Sequence, residues 1–357
     1  MKITKVDIER FSVPLAEPFR VAFGLLTDSD NWIIRVHTDE GIIGLGSAAP
    51  LAFVTGETMD TCRLVLELFA EALIGFDPLD IAGAHKLMDS LIYGSGSAKC
   101  AFDIALYDIA GKRKELPVWR LLGGTDPVVH NDITIGIAAP EQMEAKARRF
   151  VFEKGFDILK VKTGIRLEDD IEALSRIRAA VGEKVRIRVD ANQGYTVETA
   201  LEALPIFEKL GVDAAEQFLP WWDFDGAAEL MRRNKTSVRL MLDESIHNPH
   251  DARRAAGMHC ADYFNIKLMK CGGLYPGSQI ADVALEAGLG CMVGCMEENK
   301  ISITAGVSLV AAKTAIVEAD CDSFMFYRGD DDGIEGGFTR EGGLFTLLDK
   351  PGLGIDL

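Results

Sequence analysis

The chain lacks any run of roughly 18 or more uninterrupted apolar residues, the length a spanning helix needs, so a membrane protein is not expected. Its first residues carry Lys2, Lys5, Asp7, Glu9 and Arg10 where a signal peptide or anchor would be apolar. A cytoplasmic location is expected. Cys-x-x-Cys spacing is absent as well: the seven cysteines (Cys62, Cys100, Cys260, Cys271, Cys291, Cys295 and Cys321) are odd in number and scattered. That argues against a zinc or redox site and for free buried thiols. Positive charge is scarce, with 38 Lys and Arg against 55 Asp and Glu and a formal net charge of −17. Nucleic acid or an anionic membrane would be repelled by such a surface. Much of this acid reads as a solvated exterior, and the ligand its field would attract is cationic.

What is present is an ordinary globular composition, 48% hydrophobic and 26% charged over 357 residues, long enough for a barrel with a smaller partner domain. Met1 to Val13 and Asn31 to Gly46 alternate like strands, with Asp-Glu-Gly punctuating two β-branched runs. From about Thr58 to Leu122 the pattern is helical and stops at the glycines of RLLGG, giving an α+β unit over residues 1–124. From about Asn131 the rhythm changes to eight short apolar runs separated by amphipathic stretches, the signature of repeated βα units. Polar residues near the C-terminal ends of the runs are Thr134, Lys160, Asp190, Glu216, Asp243, Lys267, Glu297 and Asp320, spaced 26, 30, 26, 27, 24, 30 and 23 apart. This regular period favours an α/β (β/α) barrel over residues 125–322 rather than an open doubly wound sheet. The first unit also has no Gly-x-Gly-x-x-Gly for a nucleotide. The Gly-rich segment 323–357 is expected to return to the N-terminal unit.

Catalytic residues of such barrels sit at the C-terminal ends of the strands. Three consecutive runs end there in Asp190, Glu216 and Asp243. Converging carboxylates repel unless a cation lies between them, and oxygen-only donors fit a hard ion such as Mg²⁺. Lys160 and Lys162 share one face of the second strand by its two-residue period. On the sixth run Asn265, Lys267 and Met269 share a face while Lys270 has the other parity, so Lys267 is taken as the inward lysine and Lys270 as pointing outward. Strands two and six lie opposite in an eight-stranded barrel, which sets Lys162 against Lys267 across the pocket. One base on each face is what inversion at a carbon needs, with a neighbouring cation such as Lys160 or Mg²⁺ lowering the amine pKa. Removing a proton α to a carboxylate gives an enediolate dianion. At an effective dielectric of about 20, a divalent ion some 4 Å from the developing charge offers about 8 kcal/mol, a large share of the roughly 8 to 23 kcal/mol enzymes typically supply.

Lys-x-Lys at Lys160 to Lys162, DANQG from Asp190, Glu-Gln at Glu216, Asp-Glu-Ser from Asp243, NIKLMKCGG around Lys267 and PVWRLLGG at the domain junction together resemble the enolase superfamily, in its muconate lactonizing enzyme subgroup. The resemblance implies an enolase-type barrel whose N-terminal capping domain is completed by the C-terminal tail. It implies cap loops near Pro18 to Asp30 and Pro50 to Gly56 over the substrate, and support of the metal ligands by Asn192 and Glu244. Phe218 departs from the usual proline after Glu-Gln and is expected to alter a loop. Asp320-Cys321-Asp322 is similar to the Asp-x-Asp with which dipeptide epimerases, including the L-Ala-D/L-Glu epimerases, hold the substrate's α-ammonium. A Mg²⁺-dependent epimerase acting on the C-terminal residue of L,L-dipeptides is expected, one that disfavours an acidic side chain if its specificity residues differ from those of members preferring one. They do: the position matching an arginine of members preferring acidic residues is Gly24, although Arg20 is near, and Glu297 stands where others have an apolar residue. Of Glu297 and Glu298 only one can point inward, and Glu297 is assigned to the pocket with Thr134, Asp320 and Asp322. A preference for cationic or apolar dipeptides follows, with Lys300 as the alternative partner for Glu297. An o-succinylbenzoate synthase or cycloisomerase of the same subgroup, and a non-catalytic binding protein on a barrel scaffold, are the competing readings. A homo-oligomer is expected.

Overall fold

A computed structural model describes residues 1–22, 24–329 and 332–356. The chain starts with an antiparallel meander of β1 (Ile3–Val21), β2 (Gly24–Thr38) and β3 (Ile43–Ala48). Gly41, in the Asp-Glu-Gly turn between β2 and β3, has φ 78°, a left-handed value glycine takes without a Cβ clash. The side-chain alternation fades after Val13, yet β1 and β2 stay paired from Pro14↔Asp28, across an irregularity, to Phe19↔Leu26 and Val21↔Gly24. The first cap loop expected from the sequence is therefore the tip of a long hairpin. Backbone pairing continues there although the side chains no longer serve the meander's own core, because Phe19, Val21 and Leu26 face the barrel mouth instead.

Helices α1 (Met59–Leu73), α2 (Ile81–Leu91) and α3 (Gly96–Lys114) cover the meander and enclose a core that includes Ile34, Val36, Phe69 and Phe102. Helix α1 opens on Thr58, whose hydroxyl accepts from Thr61 N and satisfies one otherwise orphaned donor. Helix α3 runs so close to β3 that a Cβ on Gly46 would lie 1.9 Å from the Ala101 carbonyl oxygen. It is buried on nearly every side because the meander lies on one flank and the barrel on the other.

The barrel strands follow β4 (Val128–His130) as β5 (Ile133–Ile135), β6 (Ile158–Lys162), β7 (Arg186–Asp190), β8 (Val212–Glu216), β9 (Arg239–Leu242), β10 (Tyr263–Lys267), β11 (Gly290–Gly294) and β12 (Ile316–Asp320). They form one parallel sheet in sequential order. Lys162 is in register with Asp190, Asp190 with Glu216 and Glu216 with Met241, so the C-terminal ends stand level around the mouth. The seam between β12 and β5 is closed by Asp132 N to Ala319 O at 3.2 Å, Cys321 N to Asn131 Oδ1 at 2.7 Å and Thr134 N to Asp322 Oδ2 at 2.7 Å. Two of these three bonds use side chains, which makes the seam polar.

The tail forms β13 (Glu335–Gly336), β14 (Phe338–Glu341), β15 (Leu344–Leu347) and β16 (Ile355–Asp356). Strand β15 pairs with β4 at the foot of the barrel, where Phe338 stacks on Phe345 at 4.9 Å. Its end reaches the cap: Asp108 of α3 accepts from Leu353 N and from Leu45 N of β3. All seven cysteines are free and five are buried. Among the described residues no helix is long and apolar enough to cross a membrane.

Candidate active site

The level strand ends bring Asp190, Glu216 and Asp243 together, with one carboxylate oxygen of each within 4.8 Å of the others. All three are buried to 1% exposure or less. The turns that follow are built to hold them. Six described non-glycine residues have positive φ, and three of these, Asn192 (39°), Gln193 (70°) and Gln217 (35°), come within three residues after Asp190 or Glu216. Such backbone costs on the order of 1–3 kcal/mol per residue and persists where surroundings enforce it. Here Asn192 N donates to Asp190 Oδ1 at 2.9 Å and Gln193 N to Gln217 O at 2.7 Å. Gly194 is required because a Cβ there would sit 2.0 Å from the Gly164 carbonyl oxygen.

Lysines surround the acids. Lys162 Nζ donates to Asp190 Oδ2 at 2.6 Å, from β6. Lys267 Nζ lies 2.7 Å from Asp243 Oδ2, from β10 on the other side of the ring. Lys160 Nζ stands between them, 2.7 Å from Asp320, 2.9 Å from Glu216 and 3.2 Å from Asp190. Burial works against the ionised form of Asp243, but Lys267 and Lys270 outweigh it and hold this carboxyl far below the usual range. The same balance, with Lys162 and Lys160, lowers Asp190. For Glu216, burial and then the Asp190 charge win over Lys160 and push it up to about 7. Burial likewise opposes the charge on Lys160, yet Asp320, Glu216 and Asp190 keep its ammonium well above the ordinary lysine value. Lys267 is raised by Asp243 against the same burial.

The oxygens facing the centre of this cluster fit a hard divalent cation. Glu216 Oε2 and Asp243 Oδ2 are buried, 2.9 Å from Lys160 Nζ and 2.7 Å from Lys267 Nζ, without a directed hydrogen bond. Glu244 Oε2 and Asn192 Oδ1 are also buried without partners, while Asn192 Nδ2 donates to Glu244 Oε1 at 3.1 Å. Asn192 and Glu244 thus brace each other beside the acids.

Three supporting residues escaped the sequence reading. Gln217 Oε1 accepts from Asp243 N at 2.8 Å and its amide binds Ser245 Oγ at 2.9 Å, fixing the Asp-Glu-Ser turn. Asn265 Nδ2 donates to Glu216 Oε1 at 2.7 Å. Lys270 is turned inward, bonding the carbonyl and Oδ1 of Asp243 and the carbonyl of Asn265. The outward direction given to it by parity fails because β10 ends at Lys267 and residues Leu268–Cys271 form a helical turn. For Gln217 and Asn265 the signals were available: one adjoins Glu216, the other shares the face of Lys267.

The opposite side of the pocket has a different character. Thr134 donates its backbone N to Asp322 Oδ2 at 2.7 Å and its hydroxyl to Asp320 Oδ1 at 3.2 Å. Burial and the Asp320 charge push Asp322 up to about 7. Glu297 lines the pocket, with Oε2 buried and unpartnered, and burial followed by the Asp322 charge pushes it up to about 8. Lys300 stands 5.2 Å over the Phe338 ring instead. Glu298 turns away and accepts from Met296 N at 2.9 Å.

Phe19, Val21 and Leu26 of the hairpin tip, Leu51 and Val54 of the second cap loop, and Met296 and Phe326 supply apolar walls. Gly24 is at the hairpin turn, where a Cβ would meet Phe53 at 3.6 Å, and is not part of the lining. Arg20 is exposed and alternates with the inward Phe19 and Val21. Phe218 is buried against Tyr195 at 5.0 Å and Phe207 at 6.3 Å, a packing role behind the turn.

Comparison with known proteins covers both halves. The model described as mandelate racemase / muconate lactonizing enzyme, N-terminal domain, matches residues 3–123, and the one described as enolase C-terminal domain-like matches residues 142–357. A hydrophobic dipeptide epimerase of Enterococcus faecalis is 38% identical, over 99% of each chain. An L-Ala-D/L-Glu epimerase of Clostridium acetobutylicum is 36% identical over 100% of this chain and 99% of its own. The crystal structure of the dipeptide epimerase from Enterococcus faecalis, complexed with Mg and L-Leu-L-Tyr, superposes with a TM-score of 0.96 at 37% identity, covering 100% of both chains.

Proposed function

Because the chain belongs to the mandelate racemase / muconate lactonizing enzyme family of the enolase superfamily, we propose that it is a Mg²⁺-dependent dipeptide epimerase. The observation that carries this reading is the pair Lys162 and Lys267, on strands four apart around the ring, each touching an outer member of the Asp190, Glu216 and Asp243 cluster. Asp190, Glu216 and Asp243 would hold Mg²⁺, with Asn192 and Glu244 beside them. Bound there, the ion supplies positive charge against the substrate carboxylate and the enediolate. With their carboxylates so engaged, Lys162 and Lys267 are no longer fixed as ion-pair partners. One of them, neutral, takes the α-proton of the C-terminal residue, and the other, as ammonium, returns a proton to the opposite face. The net change is inversion of that carbon. Lys160 stays charged between Asp320 and Glu216 and keeps the local charge balanced. Asp320 and Asp322, ordered by Thr134, receive the dipeptide's ammonium.

The side-chain preference proposed is for apolar or cationic residues over acidic ones. Phe19, Leu26, Val54 and Met296 support the first, Glu297 the second, and no described cation of the lining faces that wall to pair with an acidic side chain. The competing lyase and cycloisomerase substrates carry no ammonium for Asp320 and Asp322. The test is incubation with Mg²⁺ and a library of L,L-dipeptides in D₂O, reading deuterium uptake by mass. Uptake at one carbon with inversion is expected, and Lys162→Ala or Lys267→Ala should each reduce it by about 10²–10⁴. Substantial two-way epimerisation by either alanine variant would overturn the two-base assignment, and no uptake with any dipeptide would overturn the substrate class.

A further inference from the structure

Strand β6 ends at Lys162, and just past it the backbone runs out of ladder partners. Thr163 N still reaches Asp190 O at 2.8 Å. Gly164 is buried, and a buried N–H left open costs about as much as a lost hydrogen bond. A side chain meets it instead: Asp170 Oδ2, from the first turn of the helix Leu167–Val181, accepts from Gly164 N at 3.0 Å. The same oxygen accepts from the Tyr195 hydroxyl at 2.6 Å.

Tyr195 closes the turn that follows Asp190, where its N bonds Phe218 O at 2.9 Å and its ring packs on Phe218. The two turns also meet directly. Gly164 takes φ 99°, and a Cβ on it would lie 2.3 Å from Ala191 O. One buried oxygen therefore joins the turn after Lys162 to the turn after Asp190, whose carboxylate Lys162 bonds. Asp170 and Tyr195 are both buried, and neither lines the pocket. Holding a turn in this way needs an acceptor oxygen and no charge, so the burial that pushes the Asp170 carboxyl up does not oppose it. Lys267 stands across the ring on β10 and is followed by the helical turn Leu268–Cys271. What Asp170 fixes is one base and not the other.

We propose that Asp170 is a positioning residue for Lys162: through Gly164 N and the Tyr195 hydroxyl it sets the end of β6 against the Asp190 turn, so that its loss slows proton transfer on one face of the substrate. The inference rests on the two-base reading above and deepens it, by giving one base a support of its own.

The readout is which epimer exchanges. L-Ala-L-Phe and L-Ala-D-Phe present their α-protons to opposite lysines. In D₂O a neutral lysine, carrying two deuterons, breaks the C–H bond and forms N–H, and the electron pair stays in the enediolate. Turning about its Cε–Nζ bond, the new ammonium returns a deuteron to the same carbon, forming C–D as N–D breaks. Each epimer thus takes up deuterium through its own lysine even when inversion fails.

The experiment measures initial deuterium uptake for each epimer separately, with the full-length enzyme and Mg²⁺. Lys162→Ala identifies the epimer that Lys162 serves. Asp170→Leu should slow that same epimer about tenfold or more and the other by less than about twofold, since an ångström of displacement at a reacting group can cost about 10²-fold. Asp170→Asn retains the oxygen and should keep most of the rate on both. If Asp170→Leu does not fold, Tyr195→Phe removes one of the two bonds and should slow the same epimer by a smaller factor. Unchanged rates, or equal slowing of both epimers as a loosened fold would give, overturn the proposal, and so does an Asp170→Asn variant as slow as Asp170→Leu. An unsubstituted enzyme that exchanges neither epimer, or a Lys162→Ala variant that spares neither, overturns the two-base reading first, and this inference with it.

Discussion

The two ends of the pocket carry nearly equal numbers of acids and treat them differently. At the β7 to β9 end, Asp190 and Asp243 are each held by two lysines and kept ionised, and Glu216 is bonded by Asn265 and touched by Lys160. At the β11, β12 and β5 end, Asp322 is buried and Glu297 half-buried, no described lysine or arginine bonds either, and they are pushed up to about 7 and about 8. One set of acids is arranged for a fixed ion and a fixed chemistry. The other is left short of positive charge, which a ligand can bring with it. Reaction and recognition are thereby separated in space and in electrostatics.

The largest effect that bears on this contrast is removal of the metal. Chelation is expected to abolish deuterium uptake, and readdition of Mg²⁺ to restore it. Mg²⁺ at about 100 times its dissociation constant should also stabilise the protein by about 2.7 kcal/mol, visible as a raised Tm without any substrate. Undiminished uptake in chelated protein, with no Tm response, would erase the distinction between the two ends.

The next effect comes from behind the ligands. Lys270 is the buried cation that fixes Asp243 from its far side. Lys270→Met should weaken Mg²⁺ affinity by about 10–100-fold, the usual scale for a residue that orients a metal ligand. Because the residue does not line the catalytic pocket, turnover should recover largely at saturating Mg²⁺, whereas Lys267→Ala should not recover. An unaltered Mg²⁺ dependence in the Lys270 variant would show that Lys267 alone holds Asp243.

Much of the first end was legible in the sequence. The spacing of strand-end residues located the ring, and Asp190, Glu216 and Asp243 converge because their strands are consecutive and in register. The limit of that reasoning is Lys270: strand parity applies while a strand lasts, and nothing in NIKLMKCGG marks where β10 gives way to a helical turn. The second end was less readable for a related reason. Its apolar wall comes from the β1–β2 hairpin tip, which is far away in the chain and is paired across an irregularity between Pro14 and Phe19.

The smallest effect sharpens the second end most directly. Glu297 is protonated below about 8 and ionised above it, so its attraction for a substrate ammonium or guanidinium should grow as pH rises through that value. The quantity to measure is the ratio of kcat/KM for Ala-Lys to that for Ala-Phe between pH 7 and pH 9. Both substrates use the same two lysines, so their titration cancels in the ratio, and the substrate lysine, near 10.4 when free, stays charged over this window. The ratio should rise about fivefold, in keeping with one partly screened ion pair. Glu297→Gln preserves size and removes the titration, so its ratio should stay flat with pH at the low-pH level. A flat profile in the unsubstituted enzyme would mean that Glu297 takes no part in side-chain selection, leaving Phe19, Leu26 and Met296 to set an apolar preference alone.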